Sequence, residues 1–72
     1  MGDKKMKREY VNTIKGIEAD LAKGKRKVKD IAAECAIFAD QADEVYPAVV
    51  FAFMAKCKNR KEFKEVIEAI EW

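Results

Sequence analysis

The sequence predicts an all-α fold: a compact bundle of about four short helices in a single domain spanning residues 1–72. Three observations lead there. Breakers are scarce, with three Gly and one Pro set against abundant Ala, Lys and Glu. Apolar residues recur at steps of three and four along most of the chain. The one segment that could be read as a strand has no alternating partner to pair with.

Met6, Tyr10, Ile14, Ile17 and Leu21 form the first stripe, with Lys and Glu filling the other faces. It predicts a helix over about 4–23, with Asp3 capping its start and Gly24 just past its end. The connector Lys23-Gly24-Lys25-Arg26-Lys27 is short enough only for a tight turn, so a second helix returns against the first. Val28, Ile31, Cys35, Phe38 and Ala42 mark that helix, over about 27–41. Ala32 and Ala39 flank the stripe and permit close approach by another helix. Asp30 and Glu34 lie near its start, where the dipole favours negative charge.

Pro47 predicts a break near 41–46, because it removes a hydrogen bond and disfavours helical geometry at Tyr46. Asp43 then caps the next helix or Pro47 sits in its first turn; a single kinked helix is the alternative. The run from Ala48 to Ala55 has no polar residue. Val-Val-Phe within it suits a strand, but its neighbours are helical. It reads as a third helix, over about 46–57, apolar all round and either central to the fold or the seam of an oligomer. Lys56 ends the run well short of the about 20 residues needed to span a membrane. Asn59 and Glu62 have capping-box spacing before a fourth helix over about 60–71, with Phe63, Val66, Ile67 and Ile70 as its stripe. Lys61 with Glu65 and Lys64 with Glu68 are spaced for ion pairs on its outer side. The terminal Trp72 is expected to fold back onto the core, with a partner's surface as the alternative.

Function is bounded by what is missing. The chain has no His and no Ser, its only Thr is Thr13, and Cys35 and Cys57 stand 22 residues apart. The usual general base, the usual hydroxyl nucleophiles and the commonest metal ligand are therefore absent. Two distant Cys do not make a zinc site. Asp40, Asp43 and Glu44 lack the glycine-containing loop of a calcium site and read as a solvated acidic corner. The scattered glycines form no phosphate loop. No enzymatic activity and no cofactor are implied. The thiols at apolar helical positions, with no secretory signal pattern, predict a reducing, cytoplasmic setting.

Charge is segregated by sign although the net is only +2. Residues 1–29 hold ten Lys/Arg and four Asp/Glu, while residues 30–47 hold five acidic residues and no basic one. Such blocks neutralise one another in the fold or present patches to partners. Ile31, Ala32, Cys35, Ala36, Ile37, Ala42 and Val45 approach helix-turn-helix spacing. Against that reading, Ala36 stands where Gly is usual, and the recognition helix would offer Asp40, Asp43 and Glu44 to a polyanion.

The expected function is a non-enzymatic protein-binding module: a small inhibitor, adaptor or regulatory subunit, of a kind that phages and mobile elements encode. Its acidic corner, Asp40, Asp43 and Glu44, would meet a basic protein surface, with Tyr46 or Trp72 as the aromatic anchor. One alternative is a nucleic-acid binder using Lys4, Lys5, Lys7 and Arg8 with Lys23, Lys25, Arg26, Lys27 and Lys29. The other is a structural homo-oligomer, such as a homodimer, that hides the generous apolar surface.

Overall fold

The computed structural model describes residues 6–72. Among them are four helices and no strand: α1 (Arg8–Lys23), α2 (Val28–Gln41), α3 (Val45–Ala55) and α4 (Arg60–Glu68). The apolar run that could have been a strand is α3.

The first helix begins later than its apolar stripe. Lys7 is extended (φ −61°, ψ 150°), and its carbonyl accepts from the Tyr10 and Val11 amides to open α1. Met6 is buried without being helical. It occupies the N′ position opposite Val11, the arrangement of a hydrophobic staple. The Asp3 cap lies outside the described residues. At the other end Gly24 adopts φ +66°. Its amide donates to Leu21 O at 3.3 Å and the Lys25 amide to Asp20 O at 3.0 Å, closing the helix with a left-handed cap.

Helix α2 ends at Gln41, and the chain is extended at Ala42 and Glu44. The kinked-helix alternative is thereby excluded. Pro47 is the third residue of α3, where its missing N–H would have had no helical acceptor. Asp43 does not cap α3, contrary to one expectation. Glu44 holds the cap position without a side-chain bond, and the Asp43 carboxylate is drawn to α1 instead.

In α4 the Asn59 side chain accepts from the Glu62 amide at 2.9 Å, as its spacing predicts. The return bond is displaced by one residue: Glu62 accepts from the Lys58 amide, at 2.6 Å. The helix stops at Glu68, three residues short of the expected end. There Ile70 turns into the core and the Glu71 amide donates to the Tyr46 hydroxyl at 2.8 Å. That contact diverts the last residues from helical geometry and leaves Trp72 45 % exposed, so it does not fold back into the core as expected. Ion pairs among the described residues join separate elements and do not run along α4. They are Lys7 with Asp43 and Glu44, and Arg26 with Asp20 and Glu34.

One apolar core draws on all four helices. Ile14, Ile17 and Leu21 meet Ile31 and Cys35, Val50, Phe51 and Met54, and Phe63 and Ile67. Phe51 is fully buried, with Phe38 at 5.2 Å between ring centroids and Tyr10 edge-on at 6.2 Å. No polar or charged residue is buried among those described. The second helix does return alongside the first, with Arg26 fastened at one end and Tyr10 bonded to Asp43 at the other. Its closest backbone neighbour, however, is α3. Alanines line the junction of α2 and α3, Ala36 and Ala39 on one and Ala48 and Ala52 on the other, and small side chains permit that close approach. Ile37 and Val45 are exposed, so the helix-turn-helix positions do not form a core.

Candidate functional site

An eleven-residue helix with no charge on any face has to put one face somewhere. The inward face of α3 carries Pro47, Val50, Phe51 and Met54. The outward face carries Val45, Val49 and Phe53, which are 81 %, 43 % and 58 % exposed. Their four-residue spacing makes them one stripe along the helix. Of the two readings of an all-apolar helix, a central position describes the inner face of α3 only, and its outer face is left exposed. Three other helices in a chain of this length cover only one side of it.

Val49 stands on a ridge between two depressions. On the α4 side a groove of about 520 Å³ is floored by Val50, Val66 and Ile70, with Phe53, Lys56 and Glu65 among its walls. On the α2 side a shallower one of about 490 Å³ is lined by Ala36, Ala39, Ala48 and Ala52, with Val45 and Asp40 at its end. Ile37, on the exposed side of α2, is a further large apolar residue left in solvent. Contiguous apolar surface of this kind marks contact sites on small soluble domains.

The acidic corner is partly used internally. Asp43 Oδ1 accepts from the Tyr10 hydroxyl at 2.5 Å, Asp43 Oδ2 from Lys7 Nζ at 3.0 Å, and the Asp43 amide donates back to Tyr10 Oη at 3.1 Å. The hydroxyl and the ammonium together hold the Asp43 carboxyl below its ordinary value, and the carboxylate's hydrogen bonds raise both Tyr10 and Lys7. Glu44 lies 3.9 Å from the same ammonium. Asp40 is exposed and pairs with no basic group among the described residues. Tyr46 is half-buried, its hydroxyl occupied by the Glu71 amide, which brings the chain end and Trp72 towards the start of α3.

Among the described residues the basic side chains do not form one surface. Lys4 and Lys5 lie outside the described residues. Lys7 is bound to Asp43, and Arg8 opens α1, whereas Lys23 closes it. Sixteen helical residues, about 24 Å, separate the two groups. In the connector, Arg26 donates to both Glu34 oxygens at 2.8 and 3.2 Å and lies 3.5 Å from Asp20; its bonds to Glu34 come first among the causes that raise its pKa. Lys23, Lys25, Lys27 and Lys29 remain exposed.

Both cysteines are free and buried. Burial pushes the Cys35 thiol up to about 12, with the Glu34 charge adding to it, and raises Cys57. Neither is disposed to react as a thiolate near neutral pH. No three Asp, Glu or Cys converge to hold a metal ion among the described residues. No helix there is long and apolar enough to cross a membrane.

From sequence, Ile37 and Val45 are placed only on a helix-turn-helix pattern, and Val45, Val49, Phe53 and Ile37 are not identified as exposed surface. The signal was present: Pro47, Val50, Phe51 and Met54 make one complete helical stripe, so residues offset from it belong to another. No protein-family model matches the chain, and no curated protein or solved structure shows a significant match to it.

Proposed function

We propose that this chain is a non-enzymatic protein-binding module, an adaptor, inhibitor or regulatory subunit acting by occupying a partner's surface. Its contact face is the outer side of α3. The observation that carries the reading is the exposed stripe Val45, Val49 and Phe53 beside two apolar depressions. Buried thiols with raised pKa values, and a sequence without His or Ser, leave little to run a reaction, which supports binding over catalysis. The acidic residues Asp40 and Glu44 at one end of the stripe add a preference for positive charge there.

A photo-crosslinking amino acid in place of Phe53, compared with the same probe in place of exposed Lys15 on α1, tests this in cells producing the protein. The reading expects discrete higher-mass adducts from position 53 and none from position 15. Absence of adducts at position 53, or equal yields at both, would reject it.

A further inference from the structure

We infer that the occupant of the α3 face is a second copy of this chain, lying antiparallel across a two-fold axis near Val49 and Ala52. The inference deepens the protein-binding reading and rests on it. At 3.6 residues per turn, Val45, Val49 and Ala52 fall on one narrow strip of α3 that points on to Lys56 at its C-cap, with Phe53 along one edge and Ala48 along the other. The strip is polar at its ends and apolar between them. Its first end is negative, because Asp40 shares a depression with Val45 and Glu44 immediately precedes the helix. Its last end is positive, at Lys56.

A twofold interface must be complementary to itself. This strip is so in one orientation only. Laid antiparallel, the Lys56 of each copy meets the acidic end of the other, and Phe53 reaches the other copy's Val45. Laid parallel, Lys56 would face Lys56 and Asp40 would face Asp40, which costs affinity at both ends. The small side chains of Ala48 and Ala52 leave room for the two backbones to approach, and the two copies of Val49 meet near the axis.

The test is the solution mass of the full chain by sedimentation equilibrium over a concentration series, with variants at exposed positions only. The wild type is expected to show a reversible monomer–dimer equilibrium. V49D places two carboxylates near the axis and should leave only monomer, with unchanged helicity by circular dichroism. D40K and K56E each turn two attractive contacts repulsive and should weaken the dimer roughly tenfold. Mixing D40K with K56E restores attraction at both ends and should recover wild-type affinity in the mixed dimer. A wild type that stays monomeric throughout, a dimer indifferent to V49D, or a mixture no tighter than either variant alone would overturn the pairing. The contact-face reading fails separately. If the position-53 probe captures a chain of different mass while the wild type is monomeric, the face stands and self-pairing is wrong.

Discussion

Phe51 and Phe53 differ by two positions in one helix, and the fold assigns them opposite roles. Truncating each to Ala is therefore a direct measurement of which way α3 faces. Phe51 is wholly buried, with Phe38 and Tyr10 against its ring. Removing it forfeits transfer of a full aromatic side chain and leaves a cavity that backbone relaxation fills only in part. Changes of that kind cost about 3–5 kcal/mol. A chain of this length has a total stability of about 4–11 kcal/mol, so F51A should lose a large fraction of it. Phe53 is more than half exposed, and its removal opens no enclosed cavity. The fraction of its transfer energy realised in the monomer is about 1 kcal/mol or less. Urea denaturation followed by circular dichroism, at concentrations low enough to keep the chain monomeric, should show a several-fold gap between the two midpoint shifts. Equal shifts, or a larger one for F53A, would refute the assignment of faces and with it the contact surface.

Other perturbations follow from the same geometry. G24A puts an L residue at φ +66°, and its Cβ comes within 2.9 Å of Arg60 Nη2, which can swing away; the backbone strain remains and should lower stability by about 1 kcal/mol in the same urea assay. Because the Cys35 thiol stays protonated in the fold up to about 12, its contribution is intact below the ordinary thiol value and is lost as pH rises through that folded value. Wild-type stability should fall between about pH 9 and 12 by about 1.4 kcal/mol per unit more steeply than that of C35A, as read from alkaline urea titrations. Asp43 has the opposite sign: its folded value is lowered, so its contribution is present above the ordinary carboxylate range and lost as pH falls below it. Y10F removes the first cause of that shift and should flatten the acid limb of a thermal-melting series against pH. For the basic connector, a low-salt gel shift with duplex DNA or RNA should show no retardation, since its lysines and the pair Lys7 and Arg8 lie at opposite ends of α1; a retarded complex dissolved by added salt would favour the nucleic-acid alternative.

Local signals read well in this chain because the determinants are local. Gly24 ends α1 through a backbone conformation that few other residues tolerate, and Asn59 opens α4 through a bond three residues away. Pro47 places the break before α3 for reasons confined to one turn. What failed depended on distant partners. The start of α1 is later than expected because Lys7 is extended at the cap position, which leaves Met6 buried in the core outside the helix. Asp43 was diverted from capping by Tyr10, 33 positions earlier, and α4 was cut short by Tyr46, 25 positions away from Glu71. The acidic corner was visible as composition, but its partial neutralisation by Lys7 was not. The exposed stripe of α3 was hidden for a related reason. An all-apolar helix offers no polar residue to mark its outer side, so the stripe Pro47, Val50, Phe51 and Met54 becomes legible as the inner face only once the count of helices available to cover α3 is considered.

In the proposed arrangement the outer face of α3 is a contact surface filled by a second copy of the chain. The most direct test is the pair of sedimentation profiles for wild type and V49D, measured side by side across concentration. A wild-type mass rising from one chain to two while V49D stays at one, with both fully helical, is the predicted result. Superimposable profiles for the two proteins would contradict it.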